Sequence, residues 1–116
     1  MSRLPNLDRA VVPEAKIVNY LLNARHTGGR AKARFLENFS FRPQDWRILR
    51  DAILAHAAAN DITALHQTRF GTRYEIDGPL RAPDGRAPIV RVVWFVESQE
   101  DAPRLVTLVP RRIVIS

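Results

Sequence analysis

The sequence predicts an α+β fold, with about three N-terminal helices packed on one face of a four-stranded antiparallel β-meander. Two observations carry that reading. Apolar residues recur at spacings of three and four up to about residue 60, and alternate between turn signals thereafter. Helices that precede the strands, without interleaving, give α+β rather than a parallel α/β sheet. A chain of 116 residues suits one domain, read as an extended lead-in at 1–12, a helical part at 13–60 and an antiparallel sheet at 61–116.

Pro13 suits the first position of a helix, and Glu14 stands in the first turn, where the dipole favours an anion. Ile17, Tyr20, Leu21 and Ala24 then share a face, before Asn23 and the run His26, Thr27, Gly28, Gly29 close the helix. A second helix is expected from Arg30 to Asn38, burying Ala31, Phe35 and Leu36. A third starts near Pro43, with Trp46, Leu49, Ile53 and Ala57 as its apolar stripe. Arg47 and Asp51 form an i,i+4 pair on its outer face, and His56 is expected to be partly buried near its end.

The period then changes. Residues 64–70 alternate loosely, and Gly71 separates them from a clearer strand at 73–80 in which Tyr74, Ile76 and Gly78 share a face. Pro83, Asp84, Gly85 and Arg86 are hairpin punctuation. Residues 89–96, apolar on both faces, read as a central strand covered by helices on one side, with Val92, Trp94 and Val96 packing beneath them. Residues 104–109 return, Pro110 ends that strand, and residues 113–115 are expected to add a short edge strand.

Composition narrows the function classes. There is no cysteine, which excludes a disulfide framework, a thiol nucleophile and Cys-ligated metal sites. The N-terminus carries no apolar signal region, and the longest apolar run, residues 89–96, is interrupted by Arg91. The expected setting is therefore the cytoplasm, with no membrane. The net charge is +6, almost all from arginine. Residues 1–60 hold ten basic and five acidic side chains, against eight and seven in residues 61–116. A one-sided positive field favours a polyanionic or acidic partner, although solubility alone also accounts for it.

The densest chemical segment is residues 25–34, where Arg25, Arg30, Lys32 and Arg34 surround His26 and no acid appears before Glu37. Gly28 and Gly29 leave backbone amides free at the start of the second helix, an arrangement suited to phosphate. His26 beside them is a proton donor or acceptor near neutral pH. The plain alternative is a solvated connection between two helices. The second candidate is residues 68–75. Alternation puts Arg73 and Glu75 on one face and Tyr74 on the other. Arg73 could stabilise a pentacoordinate phosphorane, and Tyr74 could stack on a base or act as an acid. The alternatives are a core tyrosine and a cross-strand charge pair. Thr107 would face opposite to Val106 and Leu108, where its hydroxyl could hold a phosphate, though threonine also suits strands by shape. His56 and His66 have no metal-ligand spacing, so no metal is expected. There is no Walker loop, GxGxxG or GxSxG either, and no cofactor is expected.

The stretches LPNLDRAVVPEAKIVNYLLN, GGRAKARFLENFSF, FGTRYEIDGPLRAPDGR, VRVVWFVE and PRLVTLVP, with His26 at its spacing, resemble a family of small stand-alone bacterial proteins, a domain of unknown function. More loosely, the order of elements is similar to the barnase, EndoU, colicin and RelE-like ribonuclease layout used by many bacterial toxins. That likeness implies RNA as substrate. The paired catalytic histidines of the EndoU group and the glutamate–histidine pair of barnase are not at recognisable positions.

Two function classes result. In the first, the chain is a metal-independent ribonuclease toxin in which His26 moves a proton, Lys32 and Arg73 hold the phosphate, and Tyr74 is acid or stacking platform. Arg25, Gly28, Gly29, Arg30, Arg34 and Thr107 bind phosphate around them. Its basic surface would require a small acidic antitoxin or immunity protein as inhibitor. In the second, the same face makes a non-catalytic binding module, an antitoxin or adaptor, for an acidic protein or RNA. A purely structural domain leaves the charge asymmetry without a purpose. The oligomeric state stays open.

Overall fold

The computed structural model describes residues 2–111. Four antiparallel strands, β1 (Ala64–Thr68), β2 (Gly71–Pro79), β3 (Ile89–Glu97) and β4 (Arg104–Pro110), lie in sheet order β1-β2-β3-β4. Each neighbour in sequence is the neighbour in space, so a meander forms from short connections alone. The helical part precedes it: α1 (Glu14–Lys16), running into a π-helical turn (Ile17–Leu21), then α2 (Arg30–Asn38) and α3 (Trp46–Ala59). No described helix is long and apolar enough to cross a membrane.

The helices cover one face of the sheet. Ile17, Leu21, Leu36, Leu49 and Ile53 are fully buried against Ile76, Val92, Trp94 and Leu108 in one cluster. The opposite face presents Arg73, Glu75 and Asp77 on β2, since successive side chains of a strand alternate. Gly71 opens β2 rather than separating it from β1. Its φ is +151° and a Cβ there would meet the Val96 carbonyl oxygen at 2.2 Å, so only glycine lets the β1–β2 hairpin close against β3.

Several local expectations change. The first helix does not run evenly to Ala24. After three α-helical residues the chain widens, Leu22 N–H reaching the Ile17 carbonyl at 2.8 Å, and Leu22 is buried while Ala24 is exposed. In α2 the buried residues are Ala33 and Leu36; Ala31 is exposed and Phe35 half-buried. The helix is rotated so that Lys32 and Ala33 face the rest of the molecule. Arg47 lies over the Trp46 ring at 4.8 Å, and Asp51 accepts from Arg50 Nε at 2.9 Å, so the expected Arg47–Asp51 pair is replaced by a sequence neighbour. A short 3-10 turn, Pro43–Asp45, precedes α3. Pro110 belongs to β4, which tolerates it as an edge strand. The expected strand at residues 113–115 lies outside the described residues.

The lead-in is not merely extended. Leu7–Arg9 forms a 3-10 turn, and Val11 then pairs with the start of β4, Val11 N–H donating to the Pro103 carbonyl at 2.8 Å and Leu105 N–H to the Val11 carbonyl at 3.0 Å. This covers the β4 edge near Arg104. The edge further along, near Thr107, is met by the π turn through Tyr20, with α2 also against β4.

Candidate functional site

The register of β3 and β4 contains the first element of the site. Val93 pairs with Thr107 and Trp94 with Leu105, which leaves Val106 as the extra residue of a β-bulge. The bulge shifts the phase of β4, so that Leu105 and Leu108, three apart, both reach the core. Thr107 falls on the other face, in the row Glu75–Val93–Thr107. At the sheet edge its Oγ1 lies 3.2 Å from the Tyr20 hydroxyl, a contact that crosses 87 residues of sequence.

Tyr20 occupies the π-helical turn, a widened geometry often found at functional sites. Three basic groups gather on its ring. Lys16 Nζ lies 5.3 Å and Lys32 Nζ 5.4 Å from the centroid, and His26 meets it edge to face at 5.1 Å. The backbone enforces this meeting. A Cβ on Gly29 would stand 2.2 Å from the Tyr20 carbonyl oxygen, so the start of α2 touches the π turn only because that position is glycine. Gly28 N–H donates to His26 Nδ1 at 3.0 Å, and Lys32 Nζ donates back to the Gly28 carbonyl at 3.3 Å. With Nδ1 accepting, the neutral imidazole carries its proton on Nε2. The hydrogen bond with Thr107 lowers the Tyr20 pKa below its ordinary 10.0; half-burial opposes this, and Lys32 and Lys16 add to it. The site is a polarised phenol beside an imidazole and two ammonium groups.

A second group of charges occupies the middle of the same sheet face. Glu75 is held by Arg91 Nη1 at 3.2 Å and Arg73 Nε at 3.3 Å, with His66 Nε2 at 3.9 Å. Arg91 also grips Asp77 with Nε at 2.8 Å and Nη2 at 3.0 Å, and Arg111 reaches Asp77 at 3.5 Å. Arg91 foremost holds the Asp77 carboxyl below the usual carboxylate range. Among the described residues no three His, Asp or Glu side chains gather as a metal-binding group.

A family model described as a domain of unknown function, DUF6883, matches residues 3–112. The chain belongs to that family. Among solved structures, this DUF6883 chain is similar to a chain of the "Contact-dependent growth inhibition toxin - immunity protein complex from Klebsiella pneumoniae 342". The TM-score is 0.70 at 14% identity, over 91% of this chain and 97% of that one. At that identity the likeness concerns the fold. None of the curated proteins compared matches the chain.

In this DUF6883 domain the sequence-predicted residues divide into three groups. His26, Lys32 and Thr107 meet around Tyr20, with Gly28 and Gly29 forming the backbone that seats them. Arg25, Arg30 and Arg34 are exposed on and before α2, with no ion pair among the described residues. Arg73 shares the sheet face with Thr107 but stands two strands away, against Glu75. Tyr74 does not join them. It packs half-buried against the core on the helix-covered face, opposite Trp94. Sequence reasoning missed Tyr20 as a chemical group, because its helical spacing placed it in an apolar stripe. The available signal was Lys16, one helical turn before it. Arg91 was also missed, as an interruption of an apolar run.

Proposed function

We propose that the protein is a small metal-independent endoribonuclease of the toxin type, acting in a bacterial conflict system, with Tyr20, His26, Lys32 and Thr107 as its chemical centre. The observation that carries this reading is the meeting of a lowered-pKa phenol, an imidazole and two ammonium groups at one sheet edge. Cleavage by a ribose 2′-hydroxyl needs a base, an acid and cations for the phosphorane, and this set supplies each. His26 takes the 2′-hydroxyl proton on Nδ1 as the Gly28 contact opens. The 2′-oxygen bonds to phosphorus and the bond to the 5′-oxygen breaks. Tyr20 gives its proton to that departing oxygen, and the resulting phenolate is met by Thr107, Lys32 and Lys16. Lys32 and Thr107 also hold the non-bridging oxygens, while Arg25, Arg30 and Arg34 draw the polyanion to the α2 side. Arg73 contributes to binding along the sheet, and the acid role expected of Tyr74 passes to Tyr20.

A toxin of this kind needs a small acidic inhibitor that covers the basic face. The fold neighbour's title names both a toxin and an immunity protein, and this supports a second reading, a non-catalytic immunity or adaptor module. Induced expression in a bacterial host separates the two. Arrest of growth by the wild type, relieved by His26→Ala or Tyr20→Phe at equal expression, is the expected outcome, with purified protein producing RNA fragments that end in 2′,3′-cyclic phosphate. Each of these substitutions is expected to slow cleavage by about 10²–10⁴-fold. Normal growth and intact RNA with soluble wild-type protein would overturn the enzyme reading in favour of the binding module.

A further inference from the structure

We propose that the open face of the sheet is a path for an unpaired RNA strand, leading from the Tyr20–Thr107 cluster to the aromatic tip of the β1–β2 hairpin. The identity of the strand as RNA rests on the ribonuclease reading; the path rests on the sheet. Register defines its course. One two-residue step from the row Glu75–Val93–Thr107, about 7 Å, lies the row Arg73–Phe95–Arg104. A second step reaches the row Gly71–Glu97, and the hairpin tip, Arg69 and Phe70, follows directly on the β2 side of that carboxylate. Arginines and aromatic rings (Arg73, Phe95, Arg104, Arg69 and Phe70) therefore share a surface about 14 Å long, the composition that binds single strands by phosphate attraction and base stacking.

Three observations favour this occupant. Phe70 is 66% exposed, with the Arg69 guanidinium over its ring at 4.8 Å. Its backbone is fixed: Thr68 Oγ1 accepts the Phe70 N–H at 3.1 Å, and the Phe70 carbonyl accepts the Ser98 N–H at 3.0 Å. A ring presented on an ordered backbone loses little conformational freedom when a base stacks on it. The charges agree. Glu75 and Asp77 are each already held by arginine, whereas Arg69 and Arg104 make no ion pair among the described residues. Glu97, Glu100 and Asp101 lie at and beyond the outer end of β3, which directs a polyanion toward β2 rather than past the β3–β4 turn. A duplex would leave Phe70 without an unpaired base to stack on. An acidic protein would satisfy the arginines but gives no reason for an aromatic tip stacked on a guanidinium.

The test is fluorescence anisotropy with a labelled all-deoxy single strand, which has no 2′-hydroxyl to attack, against its blunt duplex and polyglutamate as competitors. RNA cleavage is measured on the same protein preparations. The expected result is salt-dependent binding of the single strand, weakened about fivefold or more in Phe70→Ala and in Arg104→Glu. Both positions are exposed, and circular dichroism checks that each variant keeps its fold. Binding that neither substitution changes would overturn the path, as would better competition by the duplex or by polyglutamate. Single-strand binding that depends on both residues, without RNA cleavage, would support the path while removing the ribonuclease reading.

Discussion

The Tyr20 hydroxyl lies 3.2 Å from Thr107 Oγ1, and two lysine ammonium groups flank its ring. Ionisation of that phenol below its ordinary 10.0 is the expected result, read as ultraviolet phenolate absorbance against pH. Thr107→Val and Lys32→Ala should each move the transition upward, since each removes a group that favours the phenolate. A transition unmoved by either would separate Tyr20 from both partners. Gly29 makes the cluster compact. Gly29→Ala places a methyl group 2.2 Å from a backbone oxygen, which cannot swing aside as a side-chain tip can. Thermal denaturation should show a loss of about 1–3 kcal/mol. Gly28→Ala meets the His26 ring at 3.4 Å and should cost less.

Strand β3 takes part in both of the sheet's special features, pairing with β4 across the bulge at Val106 and carrying the Arg91 fork. Arg91 joins Glu75 and Asp77, two acids on one strand whose charges would otherwise repel across the same face. Arg91→Ala should destabilise the domain by about 1–2 kcal/mol at neutral pH, as charged hydrogen bonds are lost at a partly exposed site. It should also change the acid limb. Asp77 titrates below its ordinary 3.8 in the fold, so its contribution is present above that value and disappears as pH falls through the folded pKa. Without Arg91 that contribution should largely vanish, and denaturant midpoints against pH will show it. Deleting Val106 should restore regular pairing while keeping Leu105 and Leu108 toward the core and Thr107 opposite Val93 on the outer face, so the Tyr20 transition should stay lowered.

The molecule as a whole is a helical layer on a sheet, and among the described residues two buried side chains with unpaired nitrogens, Trp94 and His56, lie at that junction. Trp94 is fully buried with its Nε1 unpaired, and Trp94→Ala should cost about 3–5 kcal/mol by denaturant unfolding. His56, 2% exposed at the end of α3, has no well-aligned hydrogen bond on either ring nitrogen among the described residues, with the Gly78 and Val90 backbone nearby. Burial lowers its pKa, so the unfolded chain takes up a proton below the ordinary 6.5 while the folded chain resists it. Stability should therefore fall as pH drops below 6.5, and His56→Leu should flatten that decline. The sheet, its order and the α2 and α3 helices were legible because they depend on near-neighbour physics: alternation, three-and-four spacing, and turn residues such as Asp84–Gly85. The basic segment holding His26 and Lys32 was legible for the same reason. Other features depend on distant partners. Tyr20 meets Thr107 only because a π turn and a bulge each add a residue's worth of phase, and Tyr74 leaves the chemical face because β2 packs under the helices. One extra residue is invisible to a periodicity but reverses the face of a side chain. By itself the sequence determined the elements and the chemical groups available; the tertiary structure alone decided which of those groups meet, since contacts across 87 residues depend on the packing of the whole chain.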